Sequence, residues 1–283
     1  MHLDQVSCTD KYRRKNWRGW SINVLLVAIL MACGIWSICA GKYPITPIES
    51  LKIILSNISG STGSWDPMAE SVVMGLRLPR ILAAMIVGAC LSLSGATYQG
   101  IFKNPLVSPD ILGVTSGASS GAAIAILLNL TSGRIQLFAF IGGLLSVGLT
   151  LMIPRLLKSD SNIMLVLSGI IVGGLMSSIL GLLKYIADPE TQLASIIYWQ
   201  MGSLSYVKMS SLISILPAVV ISAATIIGMS WWIDIISLGD REAQTLGVNV
   251  KVIRNACVIC STLLTASSVC VAGTIAWVGL VIP

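Results

Sequence analysis

The sequence predicts an all-α, polytopic transmembrane bundle, and three observations carry that prediction. Only 11% of the 283 residues are charged and 55% are hydrophobic, less than half the ~25% charge typical of soluble domains; the mean hydropathy is +0.86. Charge-free runs occupy 19–41, 81–102, 111–133, 135–154, 163–183, 209–233 and 255–283, each near the ~20 helical residues that cross a ~30 Å hydrocarbon core. The runs are continuous. A closed β-barrel, the other spanning solution, needs alternating segments of ~10 residues, so that architecture is excluded.

Taken in order, the elements follow from charge and punctuation. Lys11, Arg13, Arg14, Lys15 and Arg18 precede the first run and mark residues 1–19 as a cytoplasmic basic tail. Basic residues gathered on the inner side also account for the net charge of +6, so nucleic acid is not a partner. Residues 20–283 form the membrane domain. Its first span, 20–41, stays uncleaved: Leu30-Met31-Ala32-Cys33 imitates a lipoprotein signal, but the apolar character continues to Ala40. An external segment at 42–76 follows, with Pro44, Pro47, Pro67 and the Ser/Gly-rich tract at 57–64. Span 2 (80–101) returns to a turn near the inner face, span 3 (110–129) goes out, span 4 (134–156) returns and span 5 (162–185) goes out. The segment 191–207 is uncharged but short, and Tyr198 and Trp199 favour the membrane boundary. It reads as an external interfacial or re-entrant element; if it spanned, every later segment would flip. Span 6 (209–232), a polar cytoplasmic loop (233–250) and span 7 (251–272) follow, and 272–283 opens an eighth. Gly117 with Gly121 and Gly169 with Gly173 permit close helix approach, either as packing alone or beside a pathway.

Several chemistries are excluded. The seven cysteines give no disulfide framework, and Cys257-x-x-Cys260 lies inside an apolar helix without a second pair, where cysteine packs as a small hydrophobe. The single histidine, His2, leaves no histidine-based metal or catalytic site. The spans contain almost no Asp, Glu or His, which argues against an ion-coupled transporter and against an intramembrane enzyme. No GxxxxGK[ST] loop is present, so this chain does not hydrolyse ATP.

Four segments carry function. Arg77 and Arg80 bracket Leu78-Pro79 at the start of span 2; by local physics they anchor at the headgroups. Gln99-Gly100-Ile101-Phe102-Lys103-Asn104-Pro105-Leu106, followed by Pro109, cannot continue a helix and makes a turn. In Leu238-Gly239-Asp240-Arg241-Glu242-Ala243-Gln244-Thr245-Leu246-Gly247, Asp240 is expected to cap a short helix that Gly247 ends. The last segment is Ala272-Gly273-Thr274-Ile275-Ala276-Trp277-Val278-Gly279-Leu280-Val281-Ile282-Pro283.

Together these segments resemble the FecCD family, the permeases of ABC importers for iron–siderophores, haem and vitamin B12, with Trp277 where phenylalanine is commoner. The resemblance implies a fold of the vitamin B12 permease type, with roughly seven or eight of the family's ten spans before Pro283 and a further C-terminal portion expected. It implies that Arg77 and Arg80 contact acidic residues of a periplasmic or surface-anchored binding protein. Gln99, Asn104, Pro105 and Pro109 are implied to form the signature turn beside the translocation route, and Tyr98, Gln99 and span 5 are expected to line that route. Leu238, Gly239, Asp240, Arg241, Glu242, Ala243, Leu246 and Gly247 are implied to form the coupling loop against one of two ATPase subunits, which hold the ATP and magnesium; no cofactor is bound here. The implied assembly is a homodimer or a heterodimer with a related permease, in the lipid bilayer of the cytoplasmic membrane. The implied cargo is a ferric chelate, with haem or cobalamin as alternatives, or else the chain is a non-transporting remnant.

Overall fold

The computed structural model describes residues 3–60, 65–158 and 161–283; part of the Ser/Gly tract, 61–64, lies outside the described residues. The chain divides into two compact units, one ending at Ile81 and one starting at Leu82. In the first unit, helix α1 (Leu3–Cys39) runs without a break from the basic tail into the first span. Helix α2 (Pro47–Ser59) lies in the segment read as external, for which no element was assigned. Its start was legible: the Thr46 hydroxyl accepts the Glu49 N–H at 3.3 Å, and Pro47 takes the first turn, where its missing N–H costs nothing.

The second apolar helix begins thirteen residues earlier than its expected start at 80. Helix α3 (Pro67–Val72), N-capped by Asp66, passes through a π turn at Val73–Arg77 into α4 (Leu78–Phe102). The π turn has a local cause. Pro79 lacks an N–H, and its ring would strike the carbonyl one turn back in a regular helix, so the widened turn lets the helix run on. Ile45, Ile53, Ala69 and Val73 are buried as this unit's small core, with Tyr43 and Trp65 packed around them.

The second unit holds the rest of α4 and nine further helices. These are α5 (Val114–Leu127), α6 (Ser132–Leu156), α7 (Asn162–Ile186), α8 (Gln192–Met201), α9 (Met209–Gly228), α10 (Ser230–Leu238), α11 (Asp240–Thr245), α12 (Val250–Ala272) and α13 (Val278–Val281). Among the described residues, six helical stretches are long and apolar enough to cross a bilayer: Trp20–Cys39, Pro67–Phe102, Ser132–Leu156, Ile163–Ile186, Met209–Gly228 and Val250–Ala272. The expected third span is not one of them. At 14 residues, α5 is about 21 Å long. It is buried on nearly every face and packs against α6, α7, α8 and α12, so protein rather than lipid surrounds its ends. Helix α8, in the segment read as interfacial or re-entrant, has ten residues and is too short to span. The expected polar loop at 233–250 is largely helical, because Ile235 and Ile236 of α10 are buried with Ala243, Val248 and Val250.

The segment after α12 is not a continuing helix. Residues 273–277 are non-helical, with Gly273 and Trp277 at positive φ, and α13 lies on α4: a Cβ on Gly95 would sit 1.9 Å from the Gly279 carbonyl oxygen. Non-helical backbone at membrane depth is tolerated where protein covers it. Helices α5 and α6 also cross closely. A Cβ on Gly117 would lie 2.5 Å from the Gly142 carbonyl oxygen, whereas one on the exposed Gly148 would meet nothing within 4 Å. Gly117→Ala is therefore expected to cost about 1–3 kcal/mol by overpacking and to lower the melting temperature in detergent. Gly148→Ala should be neutral or slightly stabilising; equal melting temperatures for the two variants would contradict this packing.

Candidate functional site

The two arginines at the start of α4 are used differently. Arg77 is half-buried and its guanidinium donates to three main-chain carbonyls: Ile38 at 2.6 Å, Cys39 at 3.3 Å and Tyr43 at 2.6 Å. The last carbonyls of a helix have no partner within it. Arg77 thus closes the end of α1 and fixes the chain leaving it, a task suited to a planar fork of donors. Arg80, one turn on, is exposed. Nearby, the Tyr43 hydroxyl donates to Asp66 at 2.5 Å. That bond, with the Met68 N–H, holds the Asp66 carboxyl below its ordinary value despite some desolvation.

The signature turn is built as its sequence suggests. Helix α4 ends at Phe102, Lys103 adopts a left-handed φ of 53°, and the Asn104 side chain accepts the Leu106 N–H at 2.9 Å. Asn104 and Pro105 are exposed, whereas Pro109 is buried beside Gly279. Tyr98 and Gln99 are packed into contacts between elements. Tyr98 is fully buried, its hydroxyl 3.4 Å from the accepting Val258 carbonyl and 3.3 Å from the Thr262 hydroxyl. Gln99 donates to the Leu280 carbonyl at 3.0 Å. One turn up, Ser94 Oγ lies 3.1 Å from the accepting Ser261 carbonyl and 2.9 Å from Thr265 Oγ1. A polar seam therefore joins α4 to α12.

At the end of the bundle that carries Lys103 lies α11. The sequence placed Asp240 as its cap; the structure does not. Gly239 holds the cap position without a side-chain bond, and Asp240 is the first helical residue. Its carboxylate is occupied elsewhere: Oδ1 takes Lys103 Nζ at 2.8 Å and Oδ2 takes Arg254 Nη2 at 2.7 Å. Burial acts to raise the Asp240 carboxyl, but the two cationic donors outweigh it and hold it below its ordinary value of 3.8. With a depressed folded pKa, the pairing is at full strength above the ordinary value and weakens only as pH falls through the lower one. Gly247 ends the helix as expected, at φ 79°, its N–H on the Gln244 carbonyl at 3.0 Å. Ala243 is buried and pins α11 to α10 and α12. Arg241, Glu242, Gln244 and Gly247 face outward, flanked by Leu238 and Leu246, which are 75% and 63% exposed.

Sequence reasoning missed Lys103 and Arg254 as partners of Asp240, because no local pattern links residues 137 and 14 apart. It also missed a cleft of about 500 Å³ between α5, α6, α8 and the end of α12. Tyr198, Trp199, Tyr206, Gln136 and Ser203 line it, and no lining residue is charged.

Comparison with known proteins adds an independent line. The model of the FecCD transport family matches residues 29–283. The molybdate import system permease protein of Haemophilus influenzae is 34% identical over 258 residues, 91% of this chain and 76% of that protein. A Helicobacter pylori protein named a probable iron chelatin transport system permease is 36% identical over 212 residues, 75% of this chain and 64% of its own length. The hemin transport system permease protein of Yersinia pestis is 34% identical over 240 residues, 81% of this chain and 68% of that one. A solved inward-facing structure, described as of the metal-chelate ABC transporter type, superposes with a TM-score of 0.80 at 34% identity, covering 92% of this chain and 79% of the other.

The three carbonyl bonds to Arg77 set a test of its structural role. Charged hydrogen bonds contribute about 1.5–3 kcal/mol each when well formed. Arg77→Ala is thus expected to lower the melting temperature by several degrees, and Arg77→Lys, with one point-like ammonium, to recover only part of it. A melting temperature unchanged in Arg77→Ala would show that the end of α1 does not depend on it.

Proposed function

Because the chain belongs to the FecCD transport family and is an ABC importer permease, we propose that it passes a ferric chelate inward across the cytoplasmic membrane. In this reading the basic tail lies in the cytoplasm, a binding protein delivers the chelate outside, and a pair of ATPase subunits hydrolyses ATP inside. A second permease copy, or a related chain, completes the route. Support for the cargo comes from the iron chelatin relative and the metal-chelate type structure.

The observation that carries the assembly is the form of α11. A six-residue helix, pinned at its base by Ala243, presents a polar face rimmed by two exposed leucines. In water such leucines gain by being covered, and the polar face gives the cover a register. This is the surface on which an ATPase subunit docks. At the other end of α4, exposed Arg80 is the arginine placed to grip a carboxylate of the binding protein, while Arg77 holds the backbone that presents it. Tyr98 and Gln99 act beside the route by fixing α4 to α12 and α13.

The test is reconstitution in lipid vesicles with the cognate ATPase subunits and binding protein. Uptake of radioactive ferric hydroxamate, ferric catecholate, haemin, cobalamin and molybdate is compared. ATP- and binding-protein-dependent accumulation of a ferric chelate is expected. Accumulation of one of the others instead reassigns the cargo, and accumulation of none defeats the reading. In the same vesicles Arg80→Glu is expected to insert normally and to cut uptake at least about tenfold, since a reversed charge repels an acidic partner. Unchanged uptake removes Arg80 from that interface.

A further inference from the structure

Asp240 joins three elements of the second unit. Through Lys103 it holds the turn that ends α4, through Arg254 it holds the first turns of α12, and by its own backbone it starts α11. The two ties differ in kind. The Lys103–Asp240 pair is partly exposed, with 32% and 39% of the two side chains accessible, whereas Arg254 is 10% accessible. An exposed pair contributes little by itself. A guanidinium already buried loses much more if its carboxylate is removed; among the described residues Asp240 is the carboxylate paired with Arg254, whose Nε is buried without a hydrogen-bond partner.

The seam continues the same connection into the bundle. Above the Lys103–Asp240–Arg254 cluster, Tyr98 reaches Val258 and Thr262, and Ser94 reaches Ser261 and Thr265. Two bonded steps, at Ser94 and Tyr98, thus run along facing sides of α4 and α12. Hydrogen bonds of this kind are individually modest, but a series of them along two long helices resists sliding. Without the cluster, α11 would be held by Ala243 and its apolar neighbours alone. Those contacts are non-directional and fix distance better than orientation.

We propose that Asp240 is a positioning residue: it clamps α11 to the adjoining ends of α4 and α12, so that displacement of α11 is passed to this hydrogen-bonded helix pair as one body. This rests on the functional reading above, in which α11 is the surface an ATPase subunit moves. The carboxylate does not contact the cargo. Its task is to remove slack between the docking helix and the spans, so that motion at one end appears at the other.

The clamp and its use are tested separately. On the purified permease in detergent, amide hydrogen exchange across 240–247 is expected to quicken about tenfold in Asp240→Asn and about threefold in Lys103→Gln. Asp240→Glu and Lys103→Arg should restore the unaltered rate. Unchanged exchange in Asp240→Asn overturns the clamp, whatever the cargo proves to be. In vesicles with ATPase subunits and binding protein, Lys103→Gln is expected to hydrolyse ATP normally. Cargo moved per ATP, read with whichever compound the panel above shows to be carried, should fall about threefold, and Lys103→Arg should restore it. A normal ratio of cargo to ATP in Lys103→Gln, with quickened exchange, reduces the cluster to a structural contact and overturns its transmitting role. If the unaltered permease moves none of the compounds, the functional reading fails and transmission falls with it, while the exchange experiment still decides the clamp.

Discussion

Away from water, a polar atom needs a partner that the protein itself supplies, and the bundle from 82 onward is arranged around that requirement. Its helices are rich in serine and threonine, residues that offer small, rotatable hydroxyls. Ser146 donates to the Gly113 carbonyl, Thr150 to the Leu112 carbonyl and Ser120 to the Met176 carbonyl. The receiving carbonyls lie on other elements, including the turn before α5. Glycine helps make this possible: at Gly117, Gly121, Gly142 and Gly169, among others, backbones come near enough for short side chains to reach across. Close approach and polar satisfaction are one constraint seen from two sides.

The same constraint explains why α5 is short and why the segment after α12 is irregular. Both hold exposed main-chain ends that lipid would penalise, and both are covered by neighbours. It also explains the contrast between the two ends of α4. At its start, charge is spent on closing another helix, through Arg77. At its far end, where water is available, charge gathers as the Lys103–Asp240–Arg254 cluster. Between them the bonds to α12 are neutral hydroxyls, which cost less to bury than ions.

Much of the architecture was legible. Charge-free runs placed the spans at 20, 134, 162, 209 and 251 within a few residues of the helices observed, and Asn104 with Pro105 announced the turn after α4. Other features were hidden for physical reasons. Apolar sequence does not say whether lipid or protein surrounds it, so α5 read as a span. Thr46-Pro47-Ile48-Glu49 carried a helix start within the external segment that the sequence reading did not assign. Arg77 bonds main-chain carbonyls, which every residue has, so no sequence pattern marks its partners. Asp240 looked like a cap because acids often cap helices; only the fold brings Lys103 and Arg254 to it. Motif resemblance singled out these segments, but it was silent on which residues within them are buried in contacts and which face outward.

The central claim is that the two ends of this permease meet different proteins. A photo-reactive residue placed at Leu246, and separately at Arg80, measures this directly in the assembled transporter. The account expects Leu246 to cross-link to an ATPase subunit and Arg80 to the binding protein, with neither product exchanged. Capture of the binding protein from Leu246, or of an ATPase subunit from Arg80, would contradict both the orientation and the roles assigned to the two ends.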